Sequence, residues 1–469
     1  MVAFPRSTAA VLLVLAPLVA GVATTRTSVA AAAAAAAAAR APTSPARWHL
    51  QRRSAILREH PEVRELIGKE PMTLPALGAT NVAQIACAVS CAHLPAPVLV
   101  PLSVLVGGTL SLWQFALLHD VVHGTAEMPK GVRRNDVIFA GSLPALFGYY
   151  LYLRFGHLTH HKDFGAKPLR DLFDSEQSDF EDGDALFVAH RQQLTGDNPH
   201  EPVGFAGKEE VGGLGLSISR TIYSLLWLDA PSDAPSSRAD ADGDSSALPE
   251  LGELVPVWNA CVFAFSMSFE RAALVFGGGV LPAIVGRNFF FPTKPDDFHE
   301  TCATYARVSM GLALALGLLA GPGAIAWLFW AEVGWQLPIH PASAMFVSNH
   351  PSLDAPGSGG GSEAAGGEGG GVSGCQPTAS VYLGGWYDWL CCFSNFHTEH
   401  HDFPDVPAFR LRKLRDVAAP FYAEDVLAGC RDGWGETMRR TFSGRDFYAC
   451  SGVGTSGAPP LADDTARGS

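Results

Sequence analysis

The chain has 469 residues, of which 48% are hydrophobic and only 17% charged, and its net charge is −13. This length could hold two or three soluble domains, but the low charged fraction and the uneven spread of apolar residues argue against that organisation. No basic patch with interleaved aromatic residues occurs, so nothing indicates a nucleic-acid-binding protein. The nine cysteines form no CxxC pair, and they indicate neither a zinc signature nor a disulfide framework.

The first 45 residues have the pattern of a signal- or transit-like targeting segment. Arg6 precedes the apolar stretch Ala9–Ala20, and Gly21-Val22-Ala23 offers small residues for cleavage. Behind it lies an acid-poor stretch with ten consecutive alanines, Ala30–Ala39. This pattern suits two-step import into a complex plastid. An endoplasmic reticulum signal with a disordered tail, or a misassigned start site, fits the same residues.

Two long uncharged segments predict membrane-spanning helices. Residues 71–118 contain no Asp, Glu, Lys or Arg, and in residues 308–350 only Glu332 interrupts a similar run. A span needs about 20 apolar residues, so each run is long enough for two crossings. Helix breakers lie mid-run, at Pro95 and Pro97 in the first and at Gly321-Pro322-Gly323 in the second. The sequence therefore predicts an all-α membrane protein with four transmembrane helices in two hairpins.

The segments around these runs are expected at the membrane surface or in solvent. Residues 47–70 read as a charged amphipathic helix at the membrane surface. Pro256–Thr293 is apolar but carries Glu270-Arg271, and each such charge costs about 2.5–3.5 kcal/mol at the centre of a span. An interfacial helix is therefore expected there. Low-complexity inserts are predicted at 229–253 and 355–374, and a C-terminal tail at 435–469.

Three short histidine clusters carry half of the sixteen histidines. They are His119-x-x-x-His123, His157-x-x-His160-His161 and His397-x-x-His400-His401. On a helix, positions i, i+3 and i+4 share one face, so each cluster can direct its imidazoles at one point. Eight imidazoles exceed what one ion binds, and iron, zinc and copper all accept such ligands, so a site for two metals is predicted. Two hairpins would place all three clusters on one face, and basic flanking residues indicate the cytosolic or stromal side.

The clusters and their surroundings resemble the membrane fatty acid desaturase and hydroxylase superfamily, and within it the sphingolipid Δ4-desaturases, which act on dihydroceramide. The resemblance covers roughly residues 46–434 as one domain. Met345 and the His119-Asp120 form of the first cluster depart from the Δ4-desaturase pattern, which leaves the metal site intact and the substrate open. Four stretches carry the resemblance: 52–66, 337–341, 397–407 and 411–422.

The resemblance implies a four-helix membrane fold capped by a cytosolic or stromal helical domain with a di-iron centre. It implies two Fe ions, O2 as co-substrate and a lipid substrate. Electrons would come from an external donor, cytochrome b5 or ferredoxin, for which residues 410–415 offer a basic docking surface. The implied metal ligands are His119, His123, His157, His160, His161, His350, His397, His400 and His401.

Neighbouring polar residues are candidates for orienting those ligands. They are Asp120, His340, Asn349, Glu399 and Asp402. Glu332 is expected to face a polar cavity or to have a partner, because an isolated charge in a span is costly. The remaining histidines show no partner spacing and are left out of the predicted site: His49, His60, His93, His190, His200 and His299.

The function expected from these residues is O2-dependent desaturation of a sphingolipid or fatty acyl chain in the endoplasmic reticulum or a plastid membrane. If hydroxylation competes with the second hydrogen removal, the same site would act as a lipid C-hydroxylase. A carotenoid ketolase or hydroxylase of the same superfamily is an alternative, motivated by His119-Asp120. A non-catalytic membrane metal-binding protein is a second alternative, and intact histidine clusters argue against it.

Overall fold

The computed structural model describes residues 45–146, 149–158, 161, 226, 228, 249–288, 295–349, 353–354, 375–376, 378–423, 426–427 and 433–443. The predicted targeting segment, His160 and His350 lie outside the described residues. So do the predicted insert at 355–374, most of the insert at 229–253 and residues 444–469 of the predicted C-terminal tail.

The described residues are mostly helical. One two-residue antiparallel pair, β1 (Leu353–Asp354) with β2 (Cys375–Gln376), is an exception to the predicted all-α structure. The short helix Tyr149–Leu151 (α5) continues as a π-helical turn over Tyr152–Gly156, which leads into the second histidine cluster. The helices are α1 Pro45–Glu59, α2 Thr73–Cys91, α3 Ala96–His123, α4 Arg134–Ser142, α5 Tyr149–Leu151, α6 Leu254–Val285, α7 Asp296–Ala320, α8 Pro322–Gly334, α9 Ser343–Ser348, α10 Gly385–Leu390, α11 His397–Asp402, α12 Leu411–Val417 and α13 Trp434–Ser443.

Four helices among the described residues are long and apolar enough to cross a membrane, namely α2, α3, α6 and α7. The number of candidate spans agrees with the prediction, but the four segments are not the four that were predicted. The expected fourth span, α8, has 13 residues, which is short of the roughly 20 that a crossing needs. The segment assigned to the membrane interface, Pro256–Thr293, instead contributes the 32-residue helix α6. The protein is therefore an integral membrane protein whose third candidate span the sequence analysis missed.

A buried ion pair explains why α6 tolerates a charge in its middle. The Arg271 side chain is 2% exposed, and its Nη1 lies 3.3 Å from Glu332 Oε1 on α8. The backbone N–H of Leu146 donates to Glu332 Oε2 at 2.8 Å, and Arg271 Nη2 donates to Gln336 Oε1 at 3.1 Å. These partners offset part of the desolvation cost that argued against a span. They also meet the expectation that Glu332 has a partner.

Glycines allow α8 to approach the first two spans closely. A Cβ on Gly323 would collide with the backbone of Ala92, just beyond the end of α2. A Cβ on Gly334 would lie 2.8 Å from the carbonyl oxygen of Val104 in α3. Close backbone approach of this kind is how membrane helices gain packing contacts. The short helix α8 is thereby held against α2 and α3.

The N-terminal segment packs on the residues that follow the third histidine cluster. Ile56 and Val63 share an apolar core with Phe403 and Leu414. The Arg53 guanidinium donates two hydrogen bonds of 2.7 Å to the Asp405 carboxylate. Further along, Glu70 forms a bridge with Ala126 just beyond the first cluster. Residues 45–70 therefore contact the chain just beyond both the first and the third clusters.

Candidate metal centre

Five imidazoles from all three histidine clusters meet at one place. Their ligand nitrogens all lie within 4.8 Å of one another. The first cluster contributes two residues one turn apart at the end of α3, the second contributes its first and last histidines, and the third contributes one residue of α11. This five-histidine group consists of His119, His123, His157, His161 and His400.

The spacing of the nitrogens suits a shared metal ion. His157 Nε2 lies 2.9 Å from His123 Nε2 and 3.0 Å from His161 Nε2. His400 Nε2 lies 2.9 Å from His161 Nε2. Two nitrogens bound at about 2.1 Å and at right angles to each other are separated by roughly 3.0 Å. The donor set therefore fits adjacent ligands of one ion, and imidazole donors alone suit iron, zinc or copper.

A second group of imidazoles adjoins the first. The ring of His401 stacks on His161 with centroids 4.1 Å apart, and His397 follows at 4.5 Å from His401. His161 is therefore the member of the five-histidine group that contacts the remaining histidines of the third cluster. The number of ions held here stays a prediction, which comes from the eight histidines of the three clusters.

Two predicted ligands, His160 and His350, lie outside the described residues. Asn349, which precedes His350, accepts a hydrogen bond from the backbone N–H of Ala379 at 2.9 Å through its own carbonyl oxygen. Its side-chain Oδ1 is buried and has no hydrogen-bond partner among the described residues. The candidate role of Asn349 thus remains a prediction.

The expectation that Asp120 orients an imidazole does not match its contacts. Its carboxylate oxygens lie 3.2 and 3.3 Å from the backbone nitrogen of Ala408, which donates to them. The hydroxyl of Thr73 donates to the same carboxylate at 3.4 Å. The hydrogen bonds of the Asp120 carboxylate therefore connect α3 to the chain that follows the third cluster.

Glu399 also has hydrogen-bond partners other than the imidazoles of the clusters. Its two carboxylate oxygens accept hydrogen bonds of 2.6 Å each, from Ser380 Oγ and from the Tyr382 hydroxyl. Burial raises the pKa of Glu399, and these two hydrogen bonds act in the opposite direction. The residue thus secures α11 to residues 380–382, and the expected orientation of a cluster imidazole is not among its hydrogen bonds.

Asp402 does orient an imidazole, but one that the sequence analysis had left out. His49 Nδ1 donates to Asp402 Oδ1 at 2.7 Å, and both side chains are buried. The ring of His49 lies 5.2 Å from that of His401. Burial lowers the pKa of His49, and the hydrogen bond to Asp402 acts against that shift. The only sequence signal was the position of His49, three residues before the Arg52-Arg53 pair in the amphipathic segment.

His340 lies away from the five-histidine group, contrary to its candidate role beside the metals. Its Nε2 is 3.2 Å from both Thr109 Oγ1 and the carbonyl oxygen of Leu105, and its Nδ1 accepts from the N–H of Ala342. Thr109 precedes His119 by ten residues of α3, a rise of about 15 Å. His340 therefore anchors the turn after α8 to the middle of α3.

The basic stretch expected to dock an electron donor is engaged largely within the protein. Arg410 donates to the carbonyl oxygens of Leu66 and Lys69. Arg412 pairs with Asp388 at 3.3 Å, and the guanidinium of Arg415 lies 4.0 Å from the centre of the Tyr382 ring. These side chains fasten α12 to its surroundings, which weakens the case for a docking surface there.

Two family models match the chain. The model described as fatty acid desaturase covers residues 239–430. The model described as sphingolipid Δ4-desaturase covers residues 45–72, the segment that packs beside the third histidine cluster. The resemblance drawn from the sequence motifs therefore reappears in both the membrane region and the N-terminal segment.

One curated relative is a human protein named sphingolipid delta(4)-desaturase/C4-monooxygenase DES2, which is 26% identical over 144 residues. The alignment covers 30% of this chain and 38% of the relative, so the chain spans less than half of that protein's length. No solved structure matches the chain. Together with the family models, this relative confirms the resemblance to the membrane desaturase superfamily and to its sphingolipid branch.

Proposed function

We propose that the protein is a membrane-bound, O2-dependent lipid desaturase with two iron ions, which introduces a double bond into a sphingolipid or fatty acyl chain. The observation that carries this proposal is the five-histidine group, in which all three clusters converge. The family matches and the name of the human relative support a sphingolipid substrate. The proposed domain spans residues 46–434, after a targeting segment and before a C-terminal tail.

The proposed ligands are the nine histidines named from the sequence, including His160 and His350. When bound there, the irons would supply, with O2, an oxidant strong enough to remove hydrogen from an unactivated methylene. The histidines that would bind the ions lie on or beside packed helices. The end of α3 belongs to one buried core, and Phe396 and Phe403, the residues on either side of α11, belong to another. Such rigid backing keeps ligand geometry constant.

Lipid hydroxylation is a second candidate because the name of the human relative includes C4-monooxygenase. Desaturation removes two hydrogens from adjacent carbons, whereas hydroxylation removes one and returns oxygen to the same carbon. Electrons would come from an external donor, cytochrome b5 in the endoplasmic reticulum or ferredoxin in a plastid.

The test is expression of the full chain in yeast that lacks sphingolipid desaturation, followed by mass spectrometry of sphingoid bases and fatty acids. We expect an unsaturated sphingoid base that disappears in His400→Ala. His93→Ala is the matched control, since His93 is exposed at the opposite end of the first two spans. A hydroxylated base would favour the second candidate. Unchanged lipids, with the protein present in membranes, would refute both.

A further inference from the structure

The N-terminal helix brings a histidine to the metal centre from the far end of the chain. His49 and Asp402 are 353 positions apart in sequence, yet the His49 Nδ1 is 2.7 Å from the Asp402 Oδ1. The His49 ring lies 5.2 Å from the ring of His401, which in turn stacks on His161. His49 is thus one ring removed from the five-histidine group.

Three donors converge on the Asp402 carboxylate. Besides His49, the guanidinium of Arg52 lies 3.0 Å from Oδ2, and the hydroxyl of Tyr422 donates at 3.1 Å. All four side chains are buried. A buried carboxylate with this many donors is held in place and satisfied, because each donor offsets part of its desolvation. The Asp402 carboxylate therefore gives His49 a fixed orientation.

The pairing is the one that protein metal sites use to orient imidazoles. A carboxylate that accepts from one ring nitrogen sets the tautomer and the plane of the ring. The His49 Nε2 faces the hydroxyl of Thr378 at 3.3 Å, which contacts Thr398 beside His397. One nitrogen of His49 thus contacts Asp402, next to His401, and the other reaches Thr398, next to His397, through Thr378.

We propose that His49 is a positioning residue of the metal centre, held by Asp402 and packed on His401 so that the plane of the His401 ring is fixed. This inference depends on the proposed function in one respect, namely that the centre binds metal. It assigns the N-terminal segment a part in completing the centre, in addition to its packing role.

Docking of α1 does not depend on His49 alone, which makes the proposal testable. Arg53 binds Asp405 with two hydrogen bonds, and Trp48 and Ile56 are buried. A substitution of His49 therefore leaves most of the attachment of α1 in place. His49→Asn keeps a nitrogen donor near Asp402, whereas His49→Ala removes both the donor and the ring.

The experiment uses the full chain purified in detergent, with its metal removed by chelation and then titrated with Co(II) and, separately, Fe(II). We expect His49→Ala to lower affinity about 10-fold, the lower end of the effect of outer residues that orient metal ligands. We also expect the cobalt absorption bands of His49→Ala to shift. The affinity and the bands of His49→Asn should lie between those of His49→Ala and the wild type. Ser54→Ala is the control, because among the described residues its hydroxyl donates to the Leu50 carbonyl oxygen within α1 and to nothing else.

Wild-type cobalt affinity and spectrum in His49→Ala would overturn the proposal, as would a lowered melting temperature of the metal-free variant with an unchanged cobalt spectrum. If the wild type binds cobalt but not iron, and His49→Ala still shifts the spectrum, the di-iron function fails while this inference stands. If the wild type binds neither ion, both are overturned.

Discussion

Arg271 and Glu332 form an ion pair between α6 and α8, with Nη1 and Oε1 separated by 3.3 Å and both side chains almost fully buried. Breaking such a pair leaves an uncompensated buried charge, which costs about 3–5 kcal/mol. We therefore expect Arg271→Met or Glu332→Leu to destabilise the protein by roughly that amount. The double variant should lose much less free energy of unfolding, since neither charge is left buried without its partner. Denaturant unfolding in detergent measures these differences, and equal losses in single and double variants would contradict the pairing.

Asp120 should mainly stabilise the packing of α3 against the chain that follows the third cluster. Removing its carboxylate leaves the backbone N–H of Ala408 without its acceptor, a loss of about 1–3 kcal/mol. We expect Asp120→Ala to lower the free energy of unfolding by that amount, and Asp120→Asn by less because one oxygen remains. Asp136→Ala is the control, since its pair with Arg133 is exposed. A wild-type unfolding curve for Asp120→Ala would argue against this role.

Gly323 should tolerate no side chain. A Cβ there would meet the backbone of Ala92, and backbone cannot move aside as a flexible side chain can. Gly323→Ala is expected to reduce the yield of folded protein in membranes severely. Gly311→Ala on α7 is the matched control, because no atom of the described part of the chain lies within 4 Å of its Cβ position, and alanine favours a helix by about 0.5–1 kcal/mol relative to glycine. Size-exclusion profiles in detergent compare the two, and similar profiles would refute the close approach.

His340 should make the protein less stable in acid. Burial lowers its pKa from 6.5 to about 4. The folded protein thus binds fewer protons than the unfolded chain between these values, so stability falls as the pH drops through that window, by at most about 1.4 kcal/mol per unit. His340→Gln removes this titration, and its unfolding free energy should depend less on pH than that of the wild type. Parallel pH curves would contradict a buried neutral imidazole.

His350 remains a predicted ligand, and its substitution tests the prediction directly. If it binds one of two ions, His350→Ala should lower the bound iron to about half while leaving the other ion in place. Asn349→Ala should have a smaller effect, because the residue is proposed only to orient a ligand. Iron per chain, measured by elemental analysis, distinguishes the two variants. Unchanged iron in His350→Ala would remove that residue from the ligand set.

Patterns within single segments of the sequence predicted the helices that depend only on the composition of their own segment. Uncharged runs indicated α2, α3 and α7, since a segment that is both long and free of charges can cross a bilayer without partners from elsewhere in the chain. The prediction failed for α6 because the cost of Arg271 was counted without Glu332, its partner on another helix. The free-energy cost of a charge in an apolar segment cannot be judged until the residue that pairs with it is known.

The sequence by itself predicted that the three histidine clusters meet, and the five-histidine group is drawn from its nine candidate ligands, because helical spacing places the histidines of each cluster on one face. Only the tertiary structure decided what the carboxylates beside the clusters bind. Asp120, Glu399 and Asp402 stand beside cluster histidines in sequence, yet they bind Ala408, Ser380 and His49. These partners lie between 19 and 353 positions away, and contacts at such separations depend on how whole segments pack, which spacing along the chain does not encode.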